Sequence, residues 1–173
     1  AGHARTAATR EAALESGFCD SVHDTAADAV RDADLVVLAV PVGAMEAVAV
    51  EIAPCLKPGA TLTDVGSVKQ AVVDAVGPHV PQGVHFIPGH PIAGTEHSGP
   101  HAGFATLFEN RWWLLTPLPG TPPEAVARLR SLCEAMGSNV DLMDPPHDDL
   151  VLAVTSHTPH LIAYTMVGVA EHL

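Results

Sequence analysis

Residues 34–41 read DLVVLAVP, an apolar run rich in β-branched side chains and closed by a proline. A run without polar alternation predicts a strand covered on both faces, as in the interior of a parallel sheet. Its surroundings repeat one theme. Before it, residues 6–16 are rich in Ala, Glu and Leu and stop at Gly17, and residues 24–31 form a short amphipathic helix opened by an Asp cap. After it come a helix over 44–55, a break at 57–59, a strand over 61–65, a helix over 68–76 and a strand over 84–87. Parallel strands joined by helices need crossover connections, which are right-handed almost without exception. The economical solution is an α/β fold with a Rossmann-type doubly wound parallel sheet. Residues 111–116 and 139–143 supply further strands around a helix over 122–136 that ends at Gly137. Only 4% of the 173 residues are aromatic, so Ala, Val and Leu must fill the core.

From Pro145 the character changes to a proline pair, acidic residues and a long apolar stretch of helical spacing, with Pro159 and Gly168 as the breakers. We therefore expect a dinucleotide-binding domain over 1–146, incomplete at its N-terminus, and over 147–173 the first helix of an all-helical domain. No glycine-rich GxGxxG turn opens the chain, and it reads as incomplete at both ends.

The formal net charge of −12 is spread along the chain, which disfavours nucleic acid and anionic membrane as partners. A small anion can still bind where backbone amides converge at a helix N-terminus. No stretch reaches about 18 uninterrupted apolar residues, and the first residues lack a signal peptide's apolar run. Cys19, Cys55 and Cys133 lack CxxC spacing and fit reduced thiols, so the cytoplasm is the expected compartment.

In open α/β sheets ligands bind beyond the carboxyl ends of the strands. Four places qualify: residues 2–6, residues 40–42, the DVGS turn at 64–67, and Gly89-His90-Pro91 with the glycine-bounded loop AGTEHSG that follows. Ser67 is either a helix N-cap or a hydroxyl facing the crevice. His90, held between Gly89 and Pro91, suits a general base that removes a hydroxyl proton while hydride leaves the same carbon. Thr95 and Glu96 lie on a loop suited to close over a polar substrate. Ser156, His157 and His160 share one face of the terminal helix, where they either hydrogen-bond internally or face a ligand. Eleven histidines raise the question of zinc, but no HExxH motif or Cys/His pairing supports a first shell, so no metal is expected.

DLVVLAVP, TDVGSVK, HFIPGHPIAGTEHSG, LFENRWWLLTP and HDDLVLAVTSHTPHLIAY, in this order, closely resemble the prephenate/arogenate dehydrogenase family of tyrosine biosynthesis, and the likeness spans nearly the whole chain. The resemblance implies oxidative decarboxylation of prephenate or arogenate with NAD or NADP, and a homodimer formed through the helical domain. His90 matches the catalytic base, and Ser67 would orient the substrate hydroxyl and that base. Thr95, Glu96, Ser156, His157 and His160 fall at positions around the substrate. Val40, Pro41 and Val42 would pack against the dinucleotide. Arg5 and Thr6 fall where the chain leaves the second strand of the family's sheet; the absence of a carboxylate at Ala4, with Arg5 beside it, admits a 2′-phosphate and hence NADP. The family's phosphate loop would lie before Ala1 and its substrate-carboxylate arginine after Leu173. Two rival readings are a β-hydroxy-acid dehydrogenase of similar plan, disfavoured because the terminal helix has no lysine, and a non-catalytic ligand-binding domain.

Overall fold

A computed structural model describes residues 1–95 and 99–170. The chain opens with β1 (Gly2–His3), α1 (Ala7–Glu15), β2 (Val22–His23) and α2 (Ala26–Ala29), with β1 and β2 paired in parallel. Next come β3 (Leu35–Leu38), α3 (Met45–Ile52), β4 (Thr61–Asp64), α4 (Lys69–Val76) and β5 (His85–Phe86). The three strands form a parallel sheet in the order β3-β4-β5. A cavity of about 740 Å³ lies between the first pair and this sheet, lined by Gly2 and His3 on one side and Val36, Leu38 and Val40 on the other.

The third sheet departs from the all-parallel expectation. β6 (Gly89–Pro91) pairs antiparallel with β7 (Trp112–Leu115), and β7 pairs in parallel with β8 (Asn139–Leu142) beyond α5 (Pro123–Ala135). The cause is Pro88. Ile87 N–H still donates to Leu62 O at 2.9 Å, continuing the ladder of β5, but Pro88 has no N–H and its carbonyl accepts from Thr116 N–H at 2.9 Å. The ladder thus passes from β4 to β7 at the proline. His90 therefore sits in a strand, paired across to Leu114, and not in a loop after one.

Phe86 and Ile87 point to opposite faces, as successive strand residues must, and each belongs to a different core. Phe86 joins Leu38, Met45, Ile52, Leu62, Val72 and Val76 beneath α3 and α4. Ile87 joins Trp113, Leu115, Ala125, Leu129 and Cys133 beneath α5. Helices thus cover both faces of the sheet, as the doubly wound expectation requires. Burial pushes the Cys133 thiol up to about 11.

Two helix starts are made differently from their sequence reading. Thr25, not Asp24, caps α2: its hydroxyl accepts from Asp28 N–H, while Asp24 pairs with Arg10 at 2.7 Å. Ser67 does not cap α4, whose N-cap residue is Val68 with no side-chain bond of its own. Its first amides instead donate to Asp149, Lys69 N–H at 2.5 Å and Gln70 N–H at 3.0 Å. Asp149 lies on α6 (Pro145–Leu152), so a carboxylate eighty residues away does the capping.

After α6 the helix loosens into a π-helical turn, Ala153–His157, and resumes as α7 (Thr158–Ala170). Pro159 enters at the second residue of α7, where the wider turn accommodates its missing donor. The run Pro145–Ala170 is long and apolar enough, by length and composition, to cross a membrane, which the search for an uninterrupted apolar stretch missed. Its first part is nevertheless docked, by Asp149 on the first amides of α4 and by the buried Asp148 on His90 of β6.

Two measurements check this packing. Asp149→Ala should lower the unfolding free energy by about 1 kcal/mol, the usual value of a helix cap, seen as a lower urea midpoint with unchanged slope. Cys133 should resist a thiol reagent at pH 8 until the protein unfolds, whereas Cys19 and Cys55, both partly exposed, should react in the native state.

Candidate functional site

The turn after β4, strand β6 with the residues that follow it, and the helix from the end of α6 into α7 wall a second cavity of about 760 Å³. Ser67 and His90 line it with Thr95, Ser156, His157 and His160, so six of the residues expected from sequence meet around one space. Since Ser67 has no capping role at α4, its hydroxyl is left to the cavity.

His90 is 5% exposed, and its Nδ1 lies 3.0 Å from Asp148 Oδ2. A carboxylate accepts, so Nδ1 carries the hydrogen and donates it to Asp148. That bond fixes the ring's tautomer and orientation and leaves the lone pair on Nε2, on the far side of the ring. Asp148 is fully buried, and its Oδ1 has no hydrogen-bond partner among the described residues. Nothing in the sequence singled out Asp148, because an acidic residue near a helix start reads as an ordinary solvated charge.

A second buried charge pair lies beneath the site. Lys69 and Asp64 are both fully buried and form an ion pair. Lys69 Nζ also donates to Gly89 O at 2.6 Å. Asp64 accepts from Gly66 N–H at 2.7 Å and from Gly89 N–H at 3.1 Å. Burial pushes the Lys69 ammonium below its ordinary value, and the neighbouring Asp64 opposes that shift. Gly89 admits no side chain: a Cβ there would stand 2.8 Å from Asp64 O.

On the helical wall, His160 Nδ1 lies 2.8 Å from Ser156 O and donates to that carbonyl, which leaves the lone pair on its Nε2. The π-helical turn carries Ser156 and His157. Such one-turn widenings shift the register of side chains on a helix face, and here they bring both residues to the cavity wall with His160.

The residues expected to touch a dinucleotide are more dispersed. Val40 lines the cavity between β1 and β3, whereas Pro41 and Val42 line neither cavity. Val42 instead packs at the Gly66 turn, where a Cβ on Gly66 would meet its Cγ2 at 3.2 Å. Thr6 caps α1 by accepting from Thr9 N–H at 3.2 Å, and Arg5 is exposed beside it. Arg10 takes the better-anchored cationic position near the end of β1, donating to Ala4 O at 2.7 Å. Glu96 lies outside the described residues. The two cavities share Val65, Pro91, Ala93 and Leu107 in their walls, so they adjoin at the foot of the His90 strand.

The family model described as prephenate dehydrogenase, nucleotide-binding domain, matches residues 1–142. A cyclohexadienyl dehydrogenase of Zymomonas mobilis is 46% identical over 162 residues, covering 94% of this chain and 55% of that protein. A prephenate dehydrogenase of Bacillus subtilis is 36% identical, covering 93% of this chain and 44% of that protein. The chain thus spans about half the length of the curated relatives it matches. The crystal structure of prephenate dehydrogenase from Aquifex aeolicus in complex with hydroxyphenyl propionate and NAD+ superposes with a TM-score of 0.86 at 30% identity, over 99% of this chain and 60% of that one. By the extent of the family match and the identity to its relatives, this chain belongs to the prephenate dehydrogenase family, with residues 1–142 matching the family's nucleotide-binding domain.

Proposed function

We propose that this chain carries the nucleotide-binding and proton-transfer part of an enzyme that oxidatively decarboxylates prephenate or arogenate with NAD or NADP. The observation that carries the reading is the His90–Asp148 bond at the wall of a cavity that also receives Ser67, His157 and His160. A non-catalytic binding domain has no need of a buried carboxylate that orients one imidazole toward such a space.

In this reading His90 Nε2 accepts the proton of the ring hydroxyl, and Asp148 stabilises the imidazolium that forms. Ser67 orients the hydroxyl toward Nε2. As carbon dioxide leaves, the electrons of the broken C–C bond aromatise the ring and leave a phenolate oxygen, which takes the proton back from His90, so no separate acid is needed. Thr95, Glu96, Ser156, His157 and His160 surround the substrate.

The dinucleotide reading rests on the match of residues 1–142 to a nucleotide-binding domain. The cavity past Val40 adjoins the His90 cavity at Val65, Pro91 and Ala93, but side chains of both apolar cores line it, among them Val30, Ile52, Leu129 and Cys133, so it suits an apolar face of the ligand and not the pyrophosphate of a dinucleotide. Val40 would lie along it, with Pro41, Val42, Arg5, Thr6 and Ser67 at its periphery. When bound, the nicotinamide supplies the acceptor for the hydride released from the hydroxyl-bearing carbon. Arg5 without a carboxylate at position 4 leaves room for either cofactor.

We assign residues 1–146 to the nucleotide-binding domain and 147–173 to the start of a helical domain. Leu161, Ile162, Tyr164, Met166 and Val169 of α7 are exposed, and we infer that they are covered in a homodimer. The dispersed negative charge and unpaired thiols support a cytoplasmic setting.

The test is reduction of NAD or NADP by the full-length protein, followed by absorbance, with prephenate and with arogenate. Reduction in one of the four combinations is expected; none in a folded protein would overturn the reading. His90→Asn should lower kcat by about 100- to 10,000-fold, the usual contribution of a positioned base, with cofactor affinity unchanged.

A further inference from the structure

The Lys69–Asp64 pair takes no part in the chemistry proposed above, yet it is the most deeply buried charged pair among the described residues. A buried ion pair seldom adds to stability, because the cost of removing two charges from water offsets their attraction. Apolar side chains of the same volume would hold the sheet at least as well. What the pair does supply is a fixed set of directions.

Those directions all lead to the two arms of the site. Asp64 ends β4 and reaches forward to Gly66 N–H, the peptide just before Ser67. Its other oxygen reaches across to Gly89 N–H, the peptide just before His90. Lys69, at the start of α4, binds Asp64 and turns back to Gly89 O. Both polar groups of Gly89 are therefore held by the pair, and the missing side chain lets that peptide approach Asp64 closely. Asp149 fixes the Lys69 backbone from α6, next to the Asp148 that holds the His90 ring. The turn bearing Ser67 and the strand bearing His90 are thus clamped to one another through two side chains and one glycine.

We propose that Asp64 and Lys69 are positioning residues that set the Ser67 hydroxyl and the His90 imidazole in register with each other. The proposal rests on the reading of His90 as base and Ser67 as its orienting partner. Neither Asp64 nor Lys69 lines the cavity, so the pair acts through the backbone of its neighbours. Loss of the clamp leaves both groups present and misaligned, an error of the kind that costs about 100-fold when reacting groups shift by about 1 Å.

The test uses the full-length protein with Asp64→Asn and Lys69→Met combined, which removes both charges while keeping side-chain volume. We expect kcat to fall by about 100-fold with the KM for cofactor nearly unchanged. The deciding comparison adds Ser67→Ala to wild type and to the double variant. If the pair aligns Ser67 with His90, the loss caused by Ser67→Ala in wild type should vanish in the double variant, since misaligned groups no longer act together. An undiminished Ser67→Ala loss in the double variant would overturn the proposal. Should the double variant not fold, Lys69→Arg gives the same comparison, because it keeps the charge beside Asp64 but displaces the donor to Gly89 O. If wild type reduces no cofactor with either substrate, the proposed function fails separately. The clamp is then judged by the His90 ring resonances, assigned by their disappearance in His90→Asn: a shift in the double variant supports it and superimposable signals overturn it.

Discussion

The backbone from His85 to Pro91 runs through two hydrogen-bond ladders in succession, and the site depends on where one gives way to the other. Up to Ile87 the donors point to parallel β4; from Pro88 onward the partner is antiparallel β7. A proline is the residue that makes the exchange clean, since it ends one ladder by lacking an N–H and begins the next by offering its carbonyl to Thr116. The exchange carries His90 past the end of the parallel sheet while keeping it inside a strand. Its backbone is held by β7 on one side and, through Gly89, by Asp64 and Lys69 on the other.

Elsewhere the core clusters are apolar, and helix α5 packs through Ala125, Leu129 and Cys133 without a buried charge. Among the described residues, the buried carboxylates, ammonium and imidazole gather in one region: Asp64, Lys69, His90 and Asp148. In a medium that screens weakly, each such group is costly unless its partners are in place, so a network of this kind tolerates few arrangements. That intolerance makes it a poor way to gain stability and a good way to fix angles. The adjacent carboxylates Asp148 and Asp149 divide the work on α6, one holding the His90 ring and the other the first amides of α4. The helix that carries Ser156, His157 and His160 is thereby tied to the strand that carries His90.

Much of this was legible from local pattern. The apolar run at β3, the glycine stop after α5 and the strand–helix alternation reflect short-range periodicity, and all reappear with boundaries shifted by a few residues. His90, Ser67 and the helix histidines were singled out because polar residues at strand ends and on apolar helix faces stand out against their neighbours, and the structure brings them around one cavity. Other features escaped because their partners are distant in sequence. Asp149 caps a helix eighty residues earlier, so Ser67, the nearest capping residue type, was the local candidate for a task it does not perform. Asp24 and Thr25 are both good caps, and Arg10 settles the choice by engaging Asp24. The antiparallel β7 escaped because strand direction leaves no trace in the apolar pattern of RWWLLT.

The sequence by itself determined the class of fold, the order of its elements and the side chains on offer for proton transfer, because periodicity, turn residues and the chemistry of each side chain are local properties. Tertiary structure decided which imidazole nitrogen is left to act, which carboxylate holds the other, and which buried pair joins the two arms of the site. These are matters of distance and direction between residues far apart along the chain: Asp148 is 58 residues from His90, and Gly89 is 20 from Lys69. Only the folded backbone brings such groups within hydrogen-bonding reach, and only there does burial make their directions exact enough to matter.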